Sequence, residues 1–368
     1  MIRDPGPTPT GSSKASRSAA ARATVVVVPR ERYSMAERSL ASLLATLPRD
    51  CPVVYVDNRT PRRVLAGLRR GAGGRPVTFV EAPTWLSPNA ARNLGSAGVE
   101  SEYTIFVDND VVFAPGWLDA LIAAADREAA SIVGPLVCQH APAHTIVHCA
   151  GGDYRPEGEA PTVDNRWRPP SRLVERIFDQ GMSVAASTAA RPGGDTGFVE
   201  FHCMLVRTAD LRAVGGLDEA LCATKEHLDI CMTMAARGGR VIYEPTSIVT
   251  FLTHPPAQRL AASDLPYFLR RWSSSAERRS LERFRDKWGL AEDPYFATRF
   301  DMIGWRRRVE IIEPIAAPFA RLGAFPRRAV AGALARVESV HNRLISRRYA
   351  SGAADPAESA LQRTANSA

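Results

Sequence analysis

Residues 103–110 have the sequence Tyr-Thr-Ile-Phe-Val-Asp-Asn-Asp. The first five form a mostly apolar run, which predicts a buried strand of a parallel sheet. In open α/β sheets, ligands bind at the carboxyl ends of the strands. Asp108 and Asp110 therefore follow the strand at the edge of the sheet where a ligand is expected.

Two carboxylates one residue apart at such a strand end favour a hard divalent cation. Mg²⁺ or Mn²⁺ takes carboxylate oxygens together with the phosphate oxygens of a substrate. The alternative is a solvated turn, because Asp-Asn-Asp is also common turn chemistry. The flanking pattern favours the metal over the turn.

The chain before residue 135 alternates between strand and helix patterns. Such alternation predicts a parallel sheet with helices on both faces. Strands are predicted at 25–28, 53–56, 77–81, 103–107 and 130–134, and helices at 35–47, 61–70, 89–97 and 115–128.

Residues 135–197 break this rhythm and are predicted to form long active-site loops. After them we expect a strand at 199–206, helices at 208–214 and 224–237, and a strand at 240–243. Thr224 is the expected N-cap of the second of these helices. A helix over 263–288 is expected to be interrupted near Pro266.

The composition is that of a globular protein, with 45% hydrophobic residues and a formal charge of +8. This charge suits nucleotide phosphates or an anionic lipid surface without choosing between them. The six cysteines lack Cys-x-x-Cys spacing, which indicates reduced core thiols in a cytoplasmic protein. No stretch is apolar enough to span a bilayer, and the first residues lack the apolar core of a secretory signal.

The segment after Asp301 changes in character. Residues 300–350 contain ten Arg and no Lys, and Val330, Leu334, Val337 and Leu344 fall on one helical stripe. Two interpretations stay open: a helix that packs on the rest of the protein, or an interfacial helix on anionic lipid.

The motifs, taken in order, resemble the family-2 glycosyltransferases, which are inverting enzymes with the GT-A fold. The resemblance covers roughly residues 23–255. It rests on the segments 29–31, 57–58, 88–93, 103–110, 214–219, 225–230 and 238–245.

This resemblance implies roles for individual residues. A nucleotide-sugar donor would be bound by Pro29, Glu31, Asp57, Arg92, Asp108 and Asn109, with Asp57 and Arg92 near the nucleotide. Asp110 would bind Mn²⁺ or Mg²⁺ at the diphosphate, with His254 as a possible further ligand from a loop. Alternatives remain for three of them: an Asx turn at Asp57, a solvated helix charge at Arg92 and a solvated loop residue at His254.

The segment 226–229 departs from the family pattern. The family usually has Glu-Asp-x-Asp here, with the second residue as general base, whereas this chain has Glu226, His227 and Asp229. An imidazole can accept a hydroxyl proton near neutral pH, so His227 is a workable base. Glu226 is an alternative base, and it could instead complement the helix N-terminus. His140, His144 and His148 are spaced by four, but Pro142 argues against a helical metal site there.

The resemblance implies a cytoplasmic hexosyl- or deoxyhexosyltransferase that uses a UDP-, dTDP- or GDP-linked sugar and a hydroxyl acceptor. The acceptor could be a glycan, as in polysaccharide biosynthesis, a glycolipid or a small molecule, and no nucleic acid partner is expected. Peripheral contact with the inner face of the plasma membrane is a further hypothesis. The alternatives are a non-catalytic GT-A domain that binds nucleotide or glycan, and a nucleotidyltransferase.

The expected organisation has four parts. A disordered tail over 1–22 precedes a GT-A domain over 23–260, which divides into a nucleotide-sugar half, 23–134, and an acceptor half, 135–260. A helical region over 261–350 and a disordered tail over 351–368 follow.

Overall fold

The computed structural model describes residues 19–164, 166–253 and 259–350. Its strands are β1 Ala23–Val28, β2 Val53–Asp57, β3 Val77–Glu81, β4 Tyr103–Asp108, β5 Val111–Phe113, β6 Ile132–Gln139, β7 Ile146–Cys149, β8 Gly152–Asp153, β9 Thr162–Val163, β10 Arg166–Trp167, β11 Arg176–Ile177, β12 Gly194–Asp195, β13 Cys203–Arg207 and β14 Val241–Phe251.

The α-helices are α1 Ala19–Arg22, α2 Ala36–Thr46, α3 Arg62–Ala72, α4 Pro88–Ser96, α5 Trp117–Arg127, α6 Val184–Ala190, α7 Thr208–Ala213, α8 Glu226–Ala236, α9 Leu265–Arg271, α10 Ser274–Trp288, α11 Pro294–Asp301, α12 Trp305–Arg307, α13 Glu313–Ala316 and α14 Ala324–Ala350. Short 3₁₀ turns at Tyr33–Met35 and Ala317–Leu322 and a π turn at Arg308–Ile312 complete the set.

One large sheet has the strand order β3-β2-β1-β4-β13-β6-β14-β12. Strands β1, β2, β3 and β4 pair in parallel, and β6 pairs in parallel with β14. Strand β13 lies between these two groups and is antiparallel to both neighbours. The α/β class, the mostly parallel sheet flanked by helices and the helical C-terminal region confirm the expected fold class.

The sheet is covered on both faces because successive strand residues point in opposite directions. In β1, Val25 and Val27 pack into one hydrophobic cluster with α2 and α5, whereas Val26 and Val28 pack into another with α4 and α8. Helix α4 lies very close to the sheet at Gly95. A Cβ there would come within 2.6 Å of Val26 and 2.7 Å of Val56.

Several predicted boundaries were wrong. Strand β14 runs on to Phe251, well past the predicted end at Tyr243, through a register irregularity between Glu244 and Ile248. Strand β6 continues to Gln139, past the predicted end at residue 134, and β13 begins only at Cys203.

Two predicted helix signals were also wrong. The residue that caps α8 is Lys225, in the left-handed conformation with φ of 70°, and not Thr224. Pro266 lies in the first turn of α9, where its missing N–H costs nothing, and the helical run is interrupted at Trp272 and Ser273 instead.

Regular structure begins before residue 23, because Ala19–Arg22 forms a helical turn whose Arg22 pairs with Glu102 and Asp126. All six cysteines are free thiols, and five of them are buried, as expected of core residues. Among the described helices, none combines the length and apolar character needed to cross a lipid bilayer.

Candidate active site

The site is built around the turn Asn109–Asp110, which joins β4 to β5 at the carboxyl end of the parallel strands. The Asn109 side chain accepts a hydrogen bond from the backbone N–H of Arg30 and donates one to the carbonyl of Arg32. The amide therefore fixes the segment after β1 against the turn after β4. Pro29 is buried in that same segment.

Asp108 is fully buried and is surrounded by positive and hydrogen-bond-donating groups. Its Oδ2 lies 3.1 Å from an Arg30 guanidinium nitrogen and 3.0 Å from His202 Nδ1, and its Oδ1 lies 3.1 Å from Arg92. Burial alone would raise the pKa of Asp108. The nearby Arg30, His202 and Arg92 outweigh it and hold the pKa well below its usual range. Asp108 is therefore an ionised anchor for the two arginines.

Asp110 lies in a different environment. Its Oδ2 accepts a hydrogen bond from the Thr253 hydroxyl, and its buried Oδ1 has no hydrogen-bond partner among the described residues. Burial and the negative charge of Asp108 raise the pKa of Asp110 to about 7. A buried carboxylate oxygen without a partner is unfavourable unless a cation or donor reaches it. This environment fits a divalent cation.

The residues around Asp110 can complete a cation site. Ligand atoms of Asp108, Asp110 and His202 all lie within 4.8 Å of one another. His254, the predicted further ligand, lies outside the described residues.

Arg92 lies on α4 and is buried beside the carboxylates. Its guanidinium stacks over Phe201 at 3.7 Å and lies 3.2 Å from the Asn89 side-chain oxygen. Burial lowers the pKa of Arg92 to about 10, although Asp108 opposes this shift. Arg92 is therefore held rigidly toward the strand ends. The alternative, a helix charge in solvent, does not fit this buried side chain.

Asp57 closes β2 and is nearly buried. Its Oδ1 accepts a hydrogen bond of 2.9 Å from the backbone N–H of Thr60. This is the geometry of an Asx turn, one of the two predicted roles. Its predicted contact with a nucleotide stays a prediction.

Glu31 lies away from any open surface. Its Oε2 accepts hydrogen bonds from Arg271 and from the Trp272 indole N–H, and its Oε1 lies 2.8 Å from Arg306. Burial alone would raise the pKa of Glu31, but Arg271 and Arg306 hold it below its ordinary value. Both oxygens are thus occupied by residues of the C-terminal region, and Glu31 joins that region to β1.

The predicted catalytic segment begins helix α8, and its three candidates face different surroundings. Glu226 is buried, and its Oε1 lies 3.5 Å from Arg271 with no hydrogen-bond partner among the described residues. Asp229 points to α10, where it pairs with Lys287 at 2.7 Å and accepts the Trp288 indole N–H at 2.9 Å. Asp229 therefore joins two helices, whereas Glu226 has an oxygen available.

His227 is partly exposed and packs against Phe198. Its Nε2 lies 3.6 Å from Glu175 Oε1. The other Glu175 oxygen contacts Lys225 at 2.5 Å, the Tyr295 hydroxyl at 2.6 Å and Arg299 at 2.9 Å. A carboxylate fixed in this way can orient an imidazole.

Burial alone would raise the pKa of Glu175. The ammonium of Lys225, the nearby imidazole of His227 and the charge of Arg299 outweigh burial and hold the pKa well below its usual range. Glu175 is therefore an ionised partner for His227.

Sequence reasoning missed several residues of the site. Glu175 lies in the segment that was predicted only as loops, and Glu200 and His202 lie in the predicted strand after it. His148 was considered only for a helical metal site, which Pro142 argues against. His148 and His202 both approach the Glu200 carboxylate, and Phe251 stacks on the His202 ring at 3.9 Å. No sequence spacing signals this group, because its members come from separate segments of the chain.

Parts of the chain are similar to known proteins. Residues 24–146 match the profile of the family described as Glycosyl transferase family 2. Two curated relatives, the pre-mycofactocin glycosyltransferases of two Mycobacterium tuberculosis strains, are each 26% identical over 226 residues, covering 61% of this chain. The chain matches only 42% of the length of these relatives.

Solved structures are similar at lower identity. The crystal structure of GalNAc-T7 with UDP, GalNAc and Mn²⁺ has a TM-score of 0.49 and 15% identity, covering 78% of this chain and 57% of the other. The mannosyltransferase PcManGT from Pyrobaculum calidifontis, in complex with GDP-Man and Mn²⁺, has a TM-score of 0.47 and 14% identity, covering 89% and 84%.

The matched segment contains β1 to β6, the Asn109–Asp110 turn and both arginines that contact Asp108. The α/β architecture has the mostly parallel sheet and flanking helices expected from the sequence. The match to the family described as Glycosyl transferase family 2 covers about a third of the chain.

Proposed function

We propose that this protein is a metal-dependent, inverting glycosyltransferase that uses a nucleoside diphosphate sugar. The observation that carries the proposal is the buried, unpartnered Oδ1 of Asp110, beside Asp108 and its two arginines at the strand ends. The family match over this segment and the glycosyltransferase name of the mycobacterial relatives support it.

The chain's own residues divide into a donor side and an acceptor side. Asp110 would hold Mn²⁺ or Mg²⁺, with Asp108 near enough to take part. When bound, the cation neutralises the negative charge that develops on the leaving diphosphate. Arg30 and Arg92 add fixed positive charge, and Asp57 would contact the nucleotide.

On the acceptor side, His227 would accept the proton of the attacking hydroxyl while Glu175 orients its ring. Glu226 is the alternative base, because its Oε1 has no hydrogen-bond partner among the described residues and its charge acts on Arg30 and Arg92. A cleft beside Thr224, lined by Trp272, Trp305 and Arg299 among others, offers aromatic and cationic surface for an acceptor. The sugar is proposed to be a hexose or deoxyhexose, and the acceptor a glycan, glycolipid or small-molecule hydroxyl.

The C-terminal region supports a further element of the proposal, peripheral contact with anionic lipid. Nine of the eleven large hydrophobic residues that are exposed in the described chain lie between Met302 and Leu344. On α14, Val337, Val340 and Leu344 are exposed, with Arg336 and Arg343 exposed on the adjacent part of the surface. Exposed apolar residues flanked by arginines are typical of helices that lie on anionic membranes.

The test is a panel of UDP-, dTDP- and GDP-sugars, measured by thermal shift with Mn²⁺ and with a chelator. We expect one donor to raise the melting temperature only when the cation is present. Slow release of nucleoside diphosphate from that donor supports glycosyl transfer, whereas release of pyrophosphate would indicate a nucleotidyltransferase. Donor binding without turnover on any hydroxyl acceptor would indicate a binding domain.

A further inference from the structure

Next to the Asp110 site, two histidines and one carboxylate converge on a single point. His148 comes from β7, and Glu200 and His202 precede β13. His148 Nε2 lies 2.9 Å and His202 Nε2 3.4 Å from Glu200 Oε2. The two imidazoles are almost completely buried, and Glu200 keeps 14% of its side chain exposed. The group is thus closed on the histidine side and reachable from the carboxylate side.

The two ring nitrogens of His202 face different carboxylates. Its Nδ1 lies 3.0 Å from Asp108 Oδ2, and its Nε2 lies 3.4 Å from Glu200 Oε2. An imidazole that is held by a carboxylate at one nitrogen can present its other nitrogen to a metal ion.

Glu200 Oε2 is buried and has no hydrogen bond of good geometry from the described residues, although a nitrogen of each histidine lies near it. A buried carboxylate oxygen is unfavourable unless a donor or a cation reaches it. A divalent cation held among the three side chains would bind this oxygen and a nitrogen of each imidazole.

The spacing and chemistry of the three ligands indicate the kind of cation. Bonds of about 2.1 Å at tetrahedral angles place ligand atoms about 3.4 Å apart. The His202–Glu200 distance of 3.4 Å matches this spacing, and the His148–Glu200 distance of 2.9 Å would have to widen slightly when an ion binds. Imidazole nitrogens suit Zn²⁺ and its transition-metal neighbours better than Mg²⁺. Two histidines and a glutamate leave a fourth position for water or another ligand.

The surroundings of the ligands have the form expected around a metal. Histidine ligands usually donate their second ring N–H to a carboxylate or amide oxygen. His202 makes such a bond to Asp108, and His148 Nδ1 lies 3.3 Å from the Gln180 side-chain amide, whose oxygen can face it after a flip. Phe251 covers the ring of His202.

We propose that His148, Glu200 and His202 form a second metal site, for Zn²⁺ or a similar transition-metal ion, distinct from the cation site at Asp110. Its ion fixes His202, and through it Asp108, so that the carboxylate stays aligned with Arg30 and Arg92. This site goes beyond the proposed function and needs neither a nucleotide nor a sugar.

The test uses the full chain, freed of metal with a chelator, and Co²⁺ alone as the probe. Co²⁺ bound by histidines at low coordination number absorbs visible light strongly, so binding is followed directly and its stoichiometry is obtained by titration. We expect one such Co²⁺ per chain, displaced by Zn²⁺ and not by excess Mg²⁺.

Variants identify the ligands. His148→Ala and the isosteric Glu200→Gln should each weaken Co²⁺ binding at least ~10-fold, the effect expected of perturbing a metal's ligand environment. Asp110→Asn should leave it unchanged. His144→Ala is the matched control, because His144 lies just before β7 and contacts Thr250 instead of Glu200. Circular dichroism and melting curves show that each variant is folded.

Two results would overturn the proposal. One is a wild-type chain without strong visible Co²⁺ absorption. The other is a signal that disappears in Asp110→Asn and persists in Glu200→Gln, since the ion would then belong to the Asp108–Asp110–His202 group. A loss of donor binding, by contrast, bears on the proposed glycosyl transfer and not on this site.

Discussion

The strand-end site and the C-terminal helical region use the same residue type, arginine, for opposite purposes. At the strand ends, Arg92 is buried and paired with Asp108. On α14, Arg328 and Arg336 are exposed, and neither forms an ion pair with a described residue. Buried arginines fix the positions of carboxylates, whereas exposed ones leave a surface charge available to a partner. Burial and pairing, more than composition, decide what a charged residue does.

The largest expected effect is at the unpartnered carboxylate of the strand-end site. Asp110→Ala should reduce transfer at least ~10³-fold, because the cation contributes several kcal/mol of charge stabilisation. The fold should persist, since the residue lies in a turn. Turnover with the best donor and melting temperature are the measurements. Asp119→Ala, an exposed carboxylate on α5, is the control and should be fully active. Full activity of the wild type in chelator would remove the metal from the reaction.

The second prediction separates His227 from Glu226. His227→Ala should lower kcat roughly 10²–10⁴-fold, the usual contribution of a positioned acid–base group, with little change in donor KM. His227→Asp restores the family's usual residue and should retain measurable activity. If Glu226 is the base, Glu226→Gln is inactive and His227→Ala is tolerated. An active His227→Ala beside an inert His227→Asp would leave Glu226 or Asp229 as the base.

The third prediction concerns Glu31, where the two regions meet. Glu31→Gln should destabilise the protein by ~3–5 kcal/mol, because Arg271 and Arg306 lose a buried counter-charge. Glu313→Gln is the matched control in the C-terminal region. Glu313 pairs with Arg308 and Arg327 near the surface, so its loss should cost less than ~1 kcal/mol.

Glu31 also makes the stability of the folded protein depend on pH in a definite direction. Its pKa is lower in the folded protein than in the unfolded chain, so its contribution is complete above the unfolded value of about 4.3 and is lost as the pH falls further. Denaturant titrations at several pH values measure this slope, which should shrink in Glu31→Gln. Equal slopes in the wild type and the variant would contradict the assignment.

The fourth prediction is the pH dependence of cation binding. The raised pKa of Asp110, about 7, means that binding must displace a proton below that pH. Mn²⁺ affinity should therefore rise about tenfold per pH unit up to neutrality and then level off. Without metal, the stability of the folded protein depends on pH in the opposite direction to the cation affinity. The protonated carboxyl of Asp110 favours the folded state, and this contribution is lost as the pH rises through about 7. Calorimetry in buffers of different ionisation enthalpy measures the released proton.

The local parts of this site could be predicted from the sequence, because their signals lie in short segments. A strand followed by Asp108 and Asp110 places both carboxylates at the sheet edge without any long-range information. The cap of α8 could not be predicted, since a left-handed Lys225 breaks the usual residue preference. Likewise, Glu-Pro-Thr-Ser at 244–247 resembles a turn, yet β14 passes through it with a bulge.

The long-range parts could not be predicted. His148 and His202 are brought together by the pairing of β6 with both β7 and β13. The resemblance assigned Glu31 to the donor, which stays a prediction, but its contacts with Arg271 and Arg306, hundreds of residues later in the chain, had no sequence signal. A single sequence gives the residues of such groups but not their contacts.

The smallest expected effect is on the exposed surface of α14. Removing the whole region around 302–348 is a poor test of lipid contact, because it also removes Arg306 and Glu310, which are partners of buried residues. Point substitutions avoid this.

Arg336→Gln should weaken binding to anionic vesicles about fivefold at low salt, as expected for ~1 kcal/mol per arginine near the surface. Arg63→Gln, an exposed arginine on α3, is the matched control and should bind like the wild type. Added salt should reduce the difference, since it screens the attraction.

Val340→Ser should lower binding by a separate, salt-independent amount, because it removes apolar surface. Sedimentation with vesicles of defined anionic content measures all three variants. Equal binding by Arg336→Gln and Arg63→Gln, or equal binding to neutral vesicles, would show that α14 does not contact anionic lipid.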